Sequence, residues 1–439
     1  MNEQTSISYE QVKQHPAFFR KSEDGKGRAK FCFDEMAKYL IRALNVCKIN
    51  DAVHIYDNGI YRPGESILHG YMLKLEPTLT DAQRKEVYRY IKVSLDTPTR
   101  EVSPAYLIPF KSKIYNIDKD CFIDYSPQYV FLNRFPFDYD PNAAPVESVT
   151  KTVSAIAADD EAVTSLIYET FGNCFYLLNQ YRGTVFFYGQ NGNNGKSTLL
   201  NMLIQLVGRE NCSYLTLQDM AERFRLVEIY GKAVNVCDDN GDAFIADSSV
   251  FKRASTGGMV TAEKKGQDPI TFEPFAKCFF ALNSLPAVSD KSRAFFSRVL
   301  LIPLNADFSS ADAKDTSLKD RKWTEAEMRY LTRLSVEGLK RLRRNGDFTR
   351  PDCVNRALAR YEIDNNPALG FLEDHEQDII GKDTDSVYLR FVEWCKDNGY
   401  KPFTKHKFSG ELKSKRGIGT AVEYVPALSK SVRCYELDK

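Results

Sequence analysis

The stretch VFFYGQNGNNGKSTLLNMLIQLVG, residues 185–208, joins an apolar aromatic run, a loop rich in glycine and asparagine, and a second apolar run. The first run predicts a buried β-strand and the last run, from Ser197 to Gly208, predicts a helix. Glycines between a strand and a helix let backbone N–H groups turn inward onto a phosphate, and the helix N-terminus adds the positive end of its dipole. The stretch therefore predicts a nucleotide phosphate site.

The residues expected to surround the phosphates form one continuous run. They are Gly189, Gln190, Asn191, Gly192, Asn193, Asn194, Gly195, Lys196, Ser197 and Thr198. The Lys196 ammonium would lie beside the phosphates of ATP and attract them, and the Ser197 hydroxyl would bind Mg²⁺. The first glycine of the strict motif falls one residue early, at Gly189, so Gln190 occupies its usual position. A chance glycine turn is the alternative, and the flanking strand and helix argue against it.

Two later segments supply polar groups at the ends of apolar strands. GKAVNVCDDNGD (231–242) predicts a strand that ends at Asp238 and Asp239, beside the strand of the glycine loop. Asp238 would hold Mg²⁺, and Asp239 would orient or deprotonate the attacking water. PFAKCFFALNSLP (274–286) predicts a buried strand that ends in Asn283, whose amide could bind the γ-phosphate or the water. The alternatives are a simple turn after the first strand and an asparagine that caps a loop.

Basic residues follow at two further places. Arg298 begins the apolar strand of SDKSRAFFSRVLLIPL (289–304), and Arg293 precedes it by five residues. Either could reach the γ-phosphate bound to a neighbouring copy, with Arg298 favoured, and a surface arginine is the alternative for each. MVTAE and PITF predict two strands of a hairpin whose tip carries Lys264 and Lys265. Such a tip could grip a phosphate backbone, or it could be a solvated turn.

The order of these motifs resembles that of superfamily 3 helicases, and more closely the helicase part of phage, plasmid and poxvirus primase–helicases. The resemblance rests on NNGKST, KRASTGG, AEKKG and FALNSLP and is specific over residues 180–305, and YSPQYVFLNRFPFDYDP (125–141) looks like the region that precedes the helicase in that family. It implies a P-loop AAA+ ATPase that forms a homohexameric ring around one DNA strand. It also implies Lys264 or Lys265 as DNA contacts in the channel, and an arginine finger from the adjacent subunit.

The fold class that follows is α/β, with an AAA+ core of the superfamily 3 type between smaller domains. The expected domains are an α+β N-terminal accessory or collar domain (1–145), the ATPase core (146–305), a helical extension (306–375) and a winged-helix-like domain (376–439). The segment 134–146 carries three prolines and predicts a linker.

Larger members of the family that the chain resembles carry a primase, which needs clustered carboxylates for two metal ions. The first 145 residues offer only Asp138-Tyr139-Asp140, within the proline-bearing segment. We therefore expect no polymerase activity here, and a separate primase or polymerase would be a partner.

The segment KPFTKHKFSGELKSKR (401–416) predicts a basic helix that could enter a DNA groove. The residues expected to contact DNA there are Lys405, Lys407, Lys413, Lys415 and Arg416. Recognition of an origin duplex and non-specific binding both stay open, because phosphate contacts dominate the affinity in either case. A solvated helix face packed on the ring is the alternative.

The composition is that of a globular protein of several domains: 439 residues, 43% hydrophobic, 27% charged, with a net charge of +1. No apolar run approaches the roughly 18 residues of a membrane span, and the first residues lack an apolar signal core. Ten separated cysteines without a CxxC pair favour free thiols over a zinc site or a disulfide framework. These features predict a cytoplasmic protein.

Together these features predict an ATP-dependent replicative DNA helicase of a phage, plasmid or integrated mobile element. Two other functions stay open. One is an ATP-switched initiator that binds an origin and recruits a different helicase. The other is a phosphotransferase with a small acceptor, against which the lysine hairpin and the late arginine argue.

Overall fold

The computed structural model describes residues 18–20, 30–181, 183–190, 192–222, 224–238, 244–245, 248–263, 269–309, 318–425 and 430–437. The predicted site residues Asn191, Asp239, Lys264 and Lys265 lie outside these ranges, and so does the side chain of Arg293.

The helices alternate with short strands along most of the chain. In chain order they are α1 (Phe33–Ala43), α2 (Glu65–Leu75), α3 (Asp81–Val93), α4 (Glu147–Ile156), α5 (Glu161–Asn173), α6 (Lys196–Val207), α7 (Ser249–Thr256), α8 (Arg293–Phe296), α9 (Glu325–Asn345), α10 (Asp352–Asn365), α11 (Pro367–His375), α12 (Thr384–Asp397) and α13 (Lys405–Arg416). Helix α3 begins with a capping box, in which the Thr80 hydroxyl accepts the Gln83 N–H and the Gln83 side chain accepts the Thr80 N–H.

The strands belong to several small sheets and one central sheet. They are β1 (Phe19–Arg20), β2 (Lys30–Phe31), β3 (Cys47–Ile49), β4 (Ala52–Asp57), β5 (Ile60–Pro63), β6 (Leu107–Pro109), β7 (Ile114–Asn116), β8 (Cys121–Ile123), β9 (Thr184–Tyr188), β10 (Cys212–Ser213), β11 (Val234–Cys237), β12 (Phe244–Ile245), β13 (Val260–Ala262), β14 (Ile270–Phe272), β15 (Lys277–Leu282), β16 (Ala287–Val288), β17 (Val299–Pro303), β18 (Ile418–Val425) and β19 (Lys430–Leu437).

The central sheet has five strands in the order β10–β11–β15–β9–β17, and every pair in it is parallel. A parallel sheet flanked by helices agrees with the α/β class expected for the core. Its inner strands are largely apolar because both faces are covered, and every residue of β15 is buried, including Lys277 at its start. All five strands end at the same edge of the sheet, so the loops that follow them meet there.

The strand of the two aspartates is not beside the strand of the glycine loop, so the expected neighbour relation is wrong. Strand β15 lies between them and pairs with β11 on one side and with β9 on the other. Parallel strands are joined by long crossovers rather than tight turns, so their order in the sheet does not follow their order in the chain.

The proline-bearing segment 134–146 is packed on the core and is not a loose linker. It contains no helix or strand, but Phe135 and Tyr139 are buried in the same hydrophobic cluster as the helices around the central sheet. The Phe135 N–H donates to the carbonyl of Pro109 at 2.8 Å. Asp138 accepts hydrogen bonds from Ser112, which leaves it a structural role in the described region.

The C-terminal part has a small core of its own. Helices α11, α12 and α13 and the antiparallel hairpin β18–β19 enclose Phe371, Phe391, Phe408 and Tyr435. The basic helix expected within residues 401–416 is present as α13. None of the helices within the described ranges is both long and apolar enough to cross a membrane.

A buried lysine that no local sequence pattern marks ties the base of the β13–β14 hairpin to the core. Lys277 is 4% exposed and donates to the carbonyl of Tyr176 at 3.0 Å and to the Asn179 side-chain oxygen at 2.7 Å. The Asn179 amide in turn donates to the carbonyls of Ala254 and Pro274, each at 2.9 Å. These bonds fix the end of α7 and the end of the hairpin against the start of β15.

Candidate functional site

The glycine loop occupies the strand–loop–helix context that its sequence predicts. Strand β9 ends at Tyr188, and helix α6 begins at Lys196. The Gly189 N–H donates to the carbonyl of Leu282 at 3.1 Å, which holds the start of the loop against the end of β15. The loop therefore lies at the edge where the parallel strands end.

The N-terminus of α6 has no side chain that caps it. Its N-cap residue is Gly195, and the first turn contains no acidic residue. The first N–H groups of a helix lack partners within the helix, and the helix dipole places partial positive charge there. This end of α6 is therefore suited to bind an anion.

Two glycines of the loop sit where a side chain would not fit. Gly195 has a φ of +84°, and a Cβ there would lie 2.5 Å from Cγ1 of Ile156. A Cβ on Gly189 would lie 1.9 Å from Nδ2 of Asn194. No heavy atom lies within 4 Å of the position that a Cβ on Gly192 would take. The conformation of the loop thus depends on Gly189 and Gly195 and not on Gly192.

We expect Gly195→Ala to lower the free energy of unfolding by about 2 kcal/mol, because the left-handed backbone and the contact with Ile156 both oppose a methyl group. Urea denaturation of the two alanine variants measures the effect, with Gly192→Ala as the matched control. Equal unfolding midpoints for the two variants would show that the backbone of the loop is not held as described.

The side chain of Lys196 is folded into the loop. It is 8% exposed, and its ammonium donates to the carbonyl of Gly189 and to the Asn194 side-chain oxygen, both at 2.9 Å. Burial lowers the pKa of Lys196, and the negative charge of Asp238 opposes that shift. The loop therefore holds a positive charge beside the N-terminus of α6.

Ser197 and Asp238 meet although they come from different elements. The Ser197 hydroxyl donates to Oδ1 of Asp238 at 2.9 Å, which joins the first turn of α6 to the residue after β11. A hydroxyl and one carboxylate fit Mg²⁺, which takes few protein ligands and completes its shell with phosphate oxygens and water. Across the described ranges, no group of three or more His, Cys, Asp and Glu side chains could hold a metal ion.

Asn283 joins the same edge of the sheet. It directly follows β15 and is exposed. In the register of β15 with β9, Leu282 is paired with Tyr188, so Asn283 follows its strand at the level where Gly189 begins the loop. The structure thus brings Asn283 to the edge that carries Lys196 and Asp238.

Two cavities flank the loop. One, of about 480 Å³, is lined by Gly189, Gln190 and Asn194 and, from the facing helix α10, by Arg360 and Tyr361. Helix α10 reaches the loop only through tertiary packing, so no local motif could have identified its residues as part of the site.

The second cavity, of about 730 Å³, adjoins the contact between Ser197 and Asp238 and is lined on its far side by Arg209, Tyr214 and Trp323. The groups at the N-terminus of α6 are therefore accessible from two sides.

Arg298 lies at the opposite end of the parallel strands, where they begin rather than where they end. It directly precedes β17, whose first residue pairs with Thr184 at the start of β9, and its carbonyl accepts the Thr184 N–H at 2.7 Å. With a rise of about 3.3 Å per residue, Arg298 is about 20 Å from Gly189 along the sheet. Arg298 therefore cannot reach the glycine loop of its own chain.

The basic residues of α13 differ in their surroundings. Lys405 forms an ion pair with Asp385, and Lys415 forms one with Glu362. The ammonium of Lys407 lies 4.1 Å from the centre of the Phe403 ring. The remaining two predicted DNA contacts are exposed in the last turn of the helix, Lys413 and Arg416.

Three family models match successive parts of the chain. The model described as "D5 N terminal like" matches residues 7–171, and the model described as "Poxvirus D5 protein-like" matches residues 363–418. Between them, a model of a family of unknown function (DUF5906) matches residues 187–298, which include the glycine loop.

A curated relative and two solved structures are also similar. "Putative helicase 121R" of Invertebrate iridescent virus 3 is 24% identical over 271 residues, which are 54% of this chain and 29% of that protein. This chain therefore spans less than a third of its length. Two apo structures of the NrS-1 C terminal region (305-718) cover 92% of this chain and 98% of theirs at 14% identity, with TM-scores of 0.50 and 0.51. At that identity the likeness concerns the fold alone.

Proposed function

We propose that this chain, which belongs to the family of phage- and poxvirus-type primase–helicases, is an ATP-dependent DNA helicase in the replication of a phage, plasmid or integrated mobile element. The observation that carries the proposal is the edge of the central sheet where an uncapped helix N-terminus, which bears Lys196 and Ser197, meets Asp238 and where Asn283 follows its strand. In this reading the core is a P-loop AAA+ unit of the superfamily 3 type, and the helix–helix–hairpin unit at the C-terminus is winged-helix-like.

The backbone of the glycine loop and the N-terminus of α6 would bind the phosphates of ATP. Lys196 would neutralise charge on the transferring phosphoryl group, and Ser197 and Asp238 would hold Mg²⁺, which supplies further positive charge at the phosphate oxygens. Asp239 and Asn283 would order the attacking water. Hydrolysis then rests on positioning and on charge stabilisation rather than on a covalent intermediate.

The cavity of about 480 Å³ supports a nucleoside triphosphate over a free phosphate as the ligand. Its volume suits a base and a sugar, and it opens onto Gly189 and Asn194 of the loop. The Tyr361 ring and the Arg360 side chain would face the nucleoside from helix α10.

The position of Arg298 supports an assembly in which each site is completed by a neighbour. An arginine about 20 Å from the loop of its own chain along the sheet can act on a phosphate only in another copy. A closed ring brings opposite edges of successive subunits together, and the resemblance implies six subunits. Arg298 is the proposed finger, with Arg293 as the alternative.

DNA would pass through the ring and contact the β13–β14 hairpin. The two strands pair in antiparallel fashion, as the hairpin prediction requires, and Lys264 and Lys265 belong to the connection between them. The bonds of Lys277 and Asn179 fix the base of this hairpin to the sheet that carries the nucleotide site. A separate primase or polymerase would be the partner that supplies primers.

Phosphate release from ATP, measured with and without forked DNA, tests the proposal. We expect hydrolysis to water that DNA stimulates, together with displacement of one strand. Hydrolysis with tight binding of an origin duplex but no displacement would favour the origin-binding initiator. Transfer of the phosphate to an acceptor other than water, unaffected by DNA, would favour a phosphotransferase.

A further inference from the structure

The side chain of Asn179 connects segments that are far apart in the sequence. It is 8% exposed, and its amide donates to the carbonyls of Ala254, in the last turn of α7, and of Pro274, just after β14. Its oxygen accepts the Lys277 ammonium at 2.7 Å. A carbonyl can only accept and an ammonium can only donate, so these partners fix the orientation of the amide. Asn179, Lys277 and the groups that they bond form a hairpin junction, in which the donor half of the amide faces α7 and the hairpin and the acceptor half faces β15.

Lys277 anchors the hairpin junction in the central sheet. Its ammonium also donates to the carbonyls of Tyr176, Leu178 and Phe275, at 3.0, 3.1 and 2.9 Å. Its backbone N–H donates to the carbonyl of Ala233, just before β11, at 2.9 Å. Separating these groups would leave buried polar atoms without partners, which costs more free energy than the bonds themselves contribute. The hairpin junction therefore has one defined position relative to the sheet.

The end of α7 lies directly against Asn179. The residue after the helix is Gly257, with a φ of +70°, and a Cβ there would lie 3.3 Å from Cβ of Asn179. Apolar packing holds the same parts together, since Phe251 of α7, Phe272 of the hairpin and Phe280 of β15 belong to one buried cluster. Apolar packing is non-directional, whereas a hydrogen bond depends on both distance and angle. The cluster therefore supplies cohesion, and the hairpin junction sets the position.

Strand β15 connects the hairpin junction with the glycine loop. It begins at Lys277 and ends at Leu282, about 17 Å away at a rise of about 3.3 Å per residue. The Leu282 carbonyl accepts the Gly189 N–H at 3.1 Å, and Asn283 is the next residue. The strand pairs with β11 on one side and with β9 on the other, so it transmits a displacement rather than bending. A shift of the hairpin junction therefore acts on Asn283 and on the start of the glycine loop.

We propose that Asn179 is a positioning residue that couples the β13–β14 hairpin to ATP hydrolysis, acting through Lys277 and β15. The proposal rests on the proposed function, because it takes the hairpin as a DNA contact and the glycine loop as the ATP site. Coupling between distant sites is carried by hydrogen-bonded networks and rigid elements that join them. The donor half of the Asn179 amide makes the join, since it bonds both the end of α7 and the segment after β14.

Asn179→Asp separates the two halves of the amide in the full chain. A carboxylate keeps an oxygen for the Lys277 ammonium, but it cannot donate to the carbonyls of Ala254 and Pro274. Phosphate release from ATP is measured without DNA and with saturating forked DNA, and the ratio of the two rates is the stimulation factor. We expect this factor to fall at least about threefold. The rate without DNA should equal that of the wild type, because Lys277 keeps its acceptor and β15 keeps its position.

The matched control is Asn133→Asp. Asn133 is 1% exposed, and its amide likewise donates to two oxygens, the Asn211 side-chain oxygen at 3.1 Å and the Gly231 carbonyl at 2.7 Å. Neither partner belongs to α7 or to the hairpin. The control should lower the melting temperature and leave the stimulation factor unchanged, so a merely structural effect of the same substitution is measured separately.

Asn179→Ala provides a second variant in case the buried carboxylate of Asn179→Asp prevents folding. It also removes the donor, it leaves room for water beside the freed carbonyls, and Lys277 retains its three backbone acceptors. We expect the same loss of stimulation. A wild-type stimulation factor in folded Asn179→Ala, or an equal loss in Asn133→Asp, would overturn the inference. A wild type that hydrolyses no ATP, or whose hydrolysis does not respond to DNA, would instead contradict the proposed function on which the inference rests.

Discussion

Lys196→Ala is expected to lower the rate of ATP hydrolysis by at least about a hundredfold. In the folded protein its ammonium is buried between the Gly189 carbonyl and the Asn194 amide, at the N-terminus of α6. A preorganised positive charge in a site shielded from water stabilises the transition state more strongly than the same charge in solution. Steady-state phosphate release at saturating ATP and Mg²⁺ measures the loss.

The control for this variant is Lys151→Ala, which removes an exposed lysine that pairs with Glu147 on the surface of α4. It should retain wild-type hydrolysis. Since Lys196 also bonds the loop, melting temperatures of both variants are needed to show that they are folded. A folded Lys196→Ala protein that hydrolyses ATP at the wild-type rate would mean that the glycine loop is not the catalytic site.

Arg298→Ala is expected to reduce hydrolysis by about a thousandfold, the lower end of the effect of arginine fingers. Its position at the edge opposite the glycine loop leads to a second expectation. In an equal mixture of Arg298→Ala and Lys196→Ala, half of the subunits keep the lysine and half of their neighbours keep the arginine. If interfaces act independently, hydrolysis returns to about a quarter of the wild-type rate.

The double variant Lys196→Ala/Arg298→Ala, mixed with Lys196→Ala, is the matched control. No interface in this mixture contains an intact lysine, so activity should stay at the level of the single variants. The same absence of recovery in the first mixture, when the two variants are shown to assemble together, would rule out Arg298 as a finger in trans and leave Arg293 as the alternative.

The features that short-range sequence patterns control could be predicted. The cap of α3 at Thr80 and the turn of the β4–β5 hairpin at Asn58 and Gly59 follow from residue types within a few positions. The glycine loop between an apolar strand and an apolar helix is equally local. Each pattern specifies backbone conformation through hydrogen bonds or dihedral angles that do not depend on the rest of the chain.

Features that depend on long-range packing could not be predicted. The insertion of β15 between β11 and β9 is decided by crossovers, and the contribution of α10 to the wall of the cavity beside the glycine loop is decided by tertiary packing. Lys277 looks like an ordinary lysine at the start of a strand, but four oxygen atoms surround its buried ammonium. The segment 134–146 was expected to be a linker on account of its prolines, whereas its aromatic side chains pack into the core.

The position of Arg298 shows how the two kinds of information combine. Its sequence context, at the start of an apolar strand, predicts a functional arginine but not the edge of the sheet on which it lies. The parallel register of β17 with β9 then places it opposite the loop. Because Arg298 is out of reach of the glycine loop of its own chain, its proposed contact with ATP requires a second subunit.

The central claim is that ATP hydrolysis at this site drives the separation of DNA strands. Unwinding of a forked duplex by the wild type, by Lys196→Ala and by Lys264→Ala/Lys265→Ala tests it most directly, with phosphate release measured in the same samples. The account predicts that both variants lose unwinding and that only the hairpin variant keeps hydrolysis. Hydrolysis by the wild type without any separation of strands would contradict it.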